Sequence, residues 1–313
     1  MRKSILIALG LLAVVACSRE NNSVNGSKSI TVRASIGEMS KVTYDGNKSA
    51  FAAGDNLSLF AWTGQKTSIP SNLVVNNVDN TLSQAGLWEP KIEMLWADMV
   101  TPHYFMAVSP AREVESFTAD KFVLNPSAAA YQESDLLIAT NLDGLKANDN
   151  PVDLVFDHAM AKLNVNLAFR NQWTEGNPPV APNTEAKVKV VNVAAKKNAT
   201  INYINKAVTA TGDQFELPMN KEKNANWTVL MVPQTGFTTI SIVLEGNDEW
   251  LGGNGTYVFT HTANIPLQSG KITTVNLIVG RDQITLDKDG ISINDWTAGE
   301  TIDNGEAQIP EEA

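Results

Sequence analysis

The sequence predicts an all-β protein made of packed sheets, and three observations predict it. Short runs rich in Val, Ile, Phe and Trp recur with Gly, Asn, Asp or Pro between them, the pattern of strands and turns. No long stretch carries the apolar spacing of an amphipathic helix, which leaves sheet packed on sheet. The third observation is Pro151–Phe169, PVDLVFDHAMAKLNVNLAF. In an extended chain Leu154, Phe156, His158 and Met160 share one face, while Leu163, Val165, Leu167 and Phe169 share the other. The apolar face therefore changes parity between Met160 and Leu163, so one flat strand cannot bury both halves on one side. Either a bulge sits near Ala161 and Lys162, or the strand leaves one core and enters another. A helix over His158–Leu163 competes locally, since Ala, Met, Lys and Leu favour helix. The Asn-Val-Asn-Leu alternation that follows argues against prolonging it.

A chain of 313 residues has the length of two domains or one large one. The expected division is a signal segment over 1–16, a tether over 17–29, one sandwich over 30–151, a second over 152–296 and an acidic tail over 297–313. Arg2 and Lys3 form a positive start, Ile5–Val15 an apolar run, and Val14-Val15-Ala16-Cys17 closes it. This is the layout of a secretory signal, and its end resembles a lipobox. Cleavage between Ala16 and Cys17 would leave Cys17 acylated at the mature N-terminus. A plain signal peptide or a short anchor competes, but the run falls short of the ~20 residues that span a bilayer. Cys17 is the only cysteine, so the mature chain forms no internal disulfide despite export. Acyl chains there would hold the protein on a membrane surface.

Ser18–Ser29 is polar and reads as a flexible tether. Ile30, Val32, Ala34 and Ile36 then alternate with Thr31, Arg33 and Ser35, a half-buried strand with Arg33 on its polar side. Tyr44–Asn47 is a turn, and Asn56–Trp62 is the next strand. Thr63–Ala85 reads as loop with one short strand at Leu73–Val75. Met94–Trp96, His103–Val108, Phe122–Leu124 and Leu136–Ala139 read as strands, with a helical turn at Ala128–Ala130. Thr174–Thr184 holds three prolines and is a loop. Val188–Val193, Thr200–Ile204, Val229–Val232, Thr239–Leu244, Tyr257–Phe259, Thr273–Val279, Ile284–Leu286 and Ile291–Trp296 complete the strands. The tail after Trp296 is acidic and thinly apolar, and is expected to be disordered.

Catalytic patterns are lacking. Nothing matches a zinc-protease, nucleophile-elbow or phosphate-loop motif, and His103, His158 and His261 are scattered without metal-ligand spacing. Asp287–Gly290 suggests a calcium loop, but Thr285 and Trp296 stand where such a loop needs an acid or amide and a Glu, so it reads as a turn. Gly252–Gly255 precedes no helix and is a loop, not a phosphate cradle. The formal charge is −10, and losing 1–16 with Arg2 and Lys3 makes it −12. Such a chain is a poor partner for nucleic acid. No enzyme activity, cofactor or metal is expected. Trp62, Trp88, Trp96, Trp173, Trp227, Trp250 and Trp296 could include glycan platforms, though sandwiches bury most such rings.

Phe51–Trp62, Met94–Trp96 with His103–Pro110, Ser134–Thr140, Leu154–Leu167, Leu230–Thr235, and Ser269–Asp282 leading to Ile291–Trp296 together resemble the fimbrillin-like lipoproteins, subunits and accessory proteins of type V pili in Gram-negative bacteria. The resemblance implies two tandem transthyretin-like sandwiches and no catalytic residues. It implies a lipidated precursor at the outer membrane, whose first strand an arginine-specific protease removes. A strand of the next subunit then fills the groove. Arg33 best matches the cleavage site, although it lies mid-strand, and Arg19 is too close to Cys17 to release a strand. Ile30, Val32, Ala34 and Ile36 would be the displaced side chains. The partners expected are other pilus subunits, the outer membrane and a host or bacterial surface ligand. The alternative is a monomeric surface lipoprotein that binds glycans. The tail offers only Ile302 and Ile309 as large aliphatics, on opposite faces of a regular strand and followed by Pro310. It is therefore expected to be a poor strand donor.

Overall fold

The computed structural model describes residues 28–37, 50–125, 127, 131–169, 188–222, 225–246, 255–279 and 284–295. Ala16, Cys17, most of the tether, the turns at Tyr44–Asn47 and Ala128–Ala130, the loop over 174–184, Gly252–Asn254, Trp173, Trp250, Trp296 and the tail lie outside them.

The strands run β1 Val32–Ile36, β2 Asn56–Thr63, β3 Val75–Leu82, β4 Trp88–Pro90, β5 His103–Ser109 and β6 Asp120–Val123. One short helix, α1 Tyr131–Ser134, precedes β7 Leu137–Leu145, β8 Val152–His158 and β9 Ala161–Phe169. There follow β10 Val188–Asn202, β11 Ala207–Pro218, β12 Asn220–Lys221, β13 Asn226–Met231, β14 Phe237–Gly246, β15 Gly255–Asn264, β16 Lys271–Val279 and β17 Ile284–Asp295. The fold is all-β. A seven-stranded sheet has the order β1-β8-β7-β5-β2-β3-β4. A second sheet runs β11-β10-β14-β15 with β6 added on β10, and a third runs β12-β13-β9-β16-β17.

Period-two side chains build three cores from these sheets. In β2, Leu57, Leu59 and Ala61 enter one core while Phe60 and Trp62 enter another, so this strand is covered on both faces. The first core joins the former to Phe105, Leu154, Phe156, Ile30, Val32, Met94 and Trp96. The last core lies between the second and third sheets, with Leu163, Val165 and Val275 facing Val191, Val193, Ile240 and Ile242. Between them, Phe60, Trp62, Met106, Val108 and Ile138 meet Ala199, Ile201, Tyr203, Leu230 and Val232.

The parity change at Met160 is where the chain changes sheets. β8 pairs with β7 and β1 in the seven-stranded sheet, and β9 pairs with β13 and β16 in the third. Leu154 and Phe156 lie in the first core, Leu163 and Val165 in the last, and Ala159 and Met160 in the one between. The competing helix over His158–Leu163 does not form. The crossing lies at Ala159–Met160, because Val152–His158 completes the seven-stranded sheet and Ala161–Phe169 begins in the third. Gly270 N–H donates to the Met160 carbonyl at 2.9 Å and Ala159 N–H to that of Leu136 at 2.8 Å, which fixes the crossing.

Three strand expectations change. The expected loop over Thr63–Ala85 contains β3, whose sequence VNNVDNTL is polar yet pairs on both sides. Val188–Val193 and Thr200–Asn202 belong to the single strand β10, Tyr203 and Ile204 of the second expected strand lie in the turn after it, and β11 beside it was not expected. Asp287–Gly290 is no turn between strands but a bulge inside β17. Val275 pairs with Ile291 and Leu277 with Leu286, and Gly290 takes the left-handed φ of 49° this requires.

Candidate functional site

β1 lies at the edge of the seven-stranded sheet and carries the residues singled out by the sequence. Its pairing is parallel to β8, with Val32 opposite Val152, Arg33 opposite Asp153 and Ala34 opposite Leu154. The residues just before it pair elsewhere. Ile30 N–H donates to the Met94 carbonyl at 2.7 Å, and Trp96 N–H donates to that of Lys28 at 3.0 Å. One continuous segment over 28–36 therefore crosses from the 94–96 edge to the β8 edge and closes the first core.

The alternation sets what faces inward. Ile30 and Val32 are buried, and Ala34 and Ile36 are half-buried against the same core. Their neighbours there include Met94, Trp96, Val152, Leu154 and Phe156. Successive inward side chains of a strand stand about 7 Å apart, so the segment fills a row of apolar sockets. Arg33 points outward, with its guanidinium 3.3 Å from Asp153 and 59% of its side chain exposed. Such an exposed pair contributes about 0–1 kcal/mol. Lys28 Nζ donates to Asp149 at 2.8 Å and marks where the chain enters the sheet. The Met94–Trp96 edge and Asp153 were not legible as partners of this segment, since pairing across such sequence separation leaves no local pattern.

The other sequence candidates are structural. His158 is buried with Nδ1 2.8 Å from Asp135 Oδ1. His103 is fully buried against the edge of Trp96. Among the described residues no group of three His, Cys, Asp or Glu could hold a metal ion. Trp62, Trp96 and Trp227 are buried and Trp88 is half-buried against Phe51, so none of the four described tryptophans offers an open platform. A network that the sequence did not show joins the halves. Tyr203 Oη donates to buried Asp120 at 2.7 Å, Arg112 lies 3.3 Å from the same carboxylate, and Arg112 also stacks on Phe122. Burial and that hydrogen bond push the Tyr203 hydroxyl well above the usual tyrosine range.

A family model described as fimbrillin-like matches residues 40–296. A solved structure of a candidate cell adhesion protein from Bacteroides uniformis superposes with a TM-score of 0.62 at 16% identity, covering 88% of this chain and 99% of that one. A candidate cell adhesion protein from Bacteroides ovatus gives 0.61 at 13%, with 88% and 99% covered. A fimbrial protein from Bacteroides vulgatus gives 0.53 at 13%, with 86% and 99% covered. At these identities the likeness is one of fold. No curated protein matches the chain.

Proposed function

Because the chain belongs to the fimbrillin-like family, we propose that it is a non-enzymatic fimbrial subunit, of the accessory or tip kind, that serves adhesion. In this reading Cys17 is acylated after cleavage behind Ala16 and holds the precursor on the outer membrane. The sandwiches are transthyretin-like, and assembly proceeds by β-strand addition into the first core.

The observation that carries the reading is the placement of segment 28–36. It lies at a sheet edge and contributes four inward side chains to the first core. Cutting after Arg33 would release Ile30 and Val32, the two most buried of the four. The sockets beside Met94, Trp96 and Val152 would then be open to a strand of the same alternation. Ala34–Ile36 would remain as the new N-terminal end.

Electron microscopy of cells with and without the gene tests this function. Loss of fibres, or of the protein's immunogold signal within fibres, is the expected outcome. Unchanged fibres that never carry the protein would contradict it.

A further inference from the structure

We propose that Leu95, Met99 and Val100 form a surface that dips into the lipid bilayer beneath the anchored precursor. The inference rests on the acylation of Cys17 proposed above.

The chain enters the fold at one pole of the first sheet. Val32 pairs with Val152 at the start of β8, and the Lys28 ammonium bonds Asp149 just before that strand. The start of β5 and the end of β7 meet at the same pole, where His103 pairs with Leu145 and Thr63. The crossing into the other sheets lies at the far end of β8, beyond His158. Seven residues of β8 at about 3.3 Å each put about 20 Å between the two ends. An acyl group at Cys17 is eleven residues from Lys28, so it tethers this pole within about 40 Å of the membrane.

Three large apolar side chains are left in solvent at that pole, as Leu87, Val123 and Val258 are singly elsewhere on the surface. Leu95 is 41% exposed, Met99 41% and Val100 71%. Leu95 forms a bridge with Ser29, and so sits directly against the entering segment. Met99 and Val100 ride on a turn whose shape is fixed. The Asp98 carboxylate accepts from Val100 N–H at 2.8 Å and from Thr101 N–H at 2.6 Å. A bond from the Thr101 hydroxyl, with those from the Thr101 and Val100 N–H groups, holds the Asp98 carboxyl down at about 2, so the turn keeps its charged cap at any physiological pH. Of the charged groups around it, Lys28 is paired with Asp149 while Glu93 and Asp98 are acidic, so the patch has no free cation to capture anionic headgroups and its apolar side chains are what it can offer a bilayer. Exposed apolar patches mark protein or membrane contacts, and a bilayer held a short tether away is the surface this one meets first.

The test uses the full chain, exported with its own signal and reconstituted in phosphatidylethanolamine–phosphatidylglycerol liposomes that contain doxyl lipids. Because Cys17 is the only native cysteine, Val100→Cys and, separately, Val258→Cys each accept one fluorophore. Val258 is 60% exposed on β15 of the second sheet. Quenching several-fold stronger at position 100 than at 258, and lost in Leu95→Ser/Met99→Ser, is expected. Equal quenching at both positions, in protein whose N-terminal peptide is acylated by mass spectrometry, overturns the membrane contact and leaves the anchor standing. An unacylated Cys17 overturns both. Shielding of position 100 that grows with protein concentration in the absence of liposomes identifies a second copy as the occupant and overturns the proposal.

Discussion

His103 is fully buried, its Nε2 accepts from Ala97 N–H at 3.1 Å, and its Nδ1–H donates to the Thr101 carbonyl at 2.8 Å. The ring thereby fixes the loop that carries Met94–Trp96 to the first strand. In the sequence it was one of three scattered histidines, and only a contact six residues back along a folded loop gives it a role. His103→Ala removes both hydrogen bonds and the packing against Trp96. We expect a loss of about 2–4 kcal/mol, read from the urea midpoint. Tyr203 and Asp120 were equally illegible, because a bond between residues this far apart in the chain exists only once β6 lies on β10. Tyr203→Phe should cost about 1–2 kcal/mol at neutral pH, since Asp120 keeps Arg112 and the Glu115 N–H as partners. The Tyr203 hydroxyl titrates higher in the folded state than in the unfolded one. Its contribution is therefore complete below the unfolded value of about 10 and falls away as pH rises beyond it. The wild-type chain should lose stability above about pH 10 more steeply than Tyr203→Phe, and parallel curves would contradict this.

Ile30–Ile36 was legible as a strand because its alternation is strict, whereas the pairing of Lys28 and Ser29 with the 94–96 stretch was not, and the parity change at Met160 was legible because burial on two different cores demands it. β3 and β11 were missed for the converse reason. Their polar residues are tolerated where neighbouring strands supply the pairing, and β11 is largely exposed. β17 was split in two because a bulge around Gly290 looks locally like a turn. The pairing of segment 28–36 also has a kinetic consequence. Arg33 lies mid-strand, bonded through β8 and locked by Ile30 and Val32, so an arginine-specific protease can reach its peptide bond only when the segment opens. Ile30→Ala removes one lock and lowers the opening free energy by about 2 kcal/mol. Cleavage should then run roughly thirtyfold faster, with Ala34 as the new N-terminal residue in mass spectrometry. An unchanged rate would mean that the bond is reached without opening the strand.

Taken together, the three cores make one body, since the middle one draws side chains from both halves of the chain. A fragment over 28–160 would uncover Phe60, Trp62, Met106, Val108 and Ile138. It should bind hydrophobic dye strongly where the full chain does not. The same unity leaves the fold intact when segment 28–33 is removed, because only the first core loses side chains. Deleting Thr297–Ala313 should leave strand acceptance unaltered, as the tail lacks a one-faced apolar pattern. The proposed assembly can be read most directly by calorimetric titration of a synthetic peptide with the sequence of residues 28–33, the part that the cut releases, into protein trimmed at Arg33. The trimmed protein should bind it one to one and gain thermal stability as the peptide concentration rises. The uncut protein should not bind, and neither partner should accept a peptide whose apolar alternation is shifted by one residue. Trimmed protein that ignores the native peptide, or uncut protein that binds it equally well, would contradict strand addition at this groove.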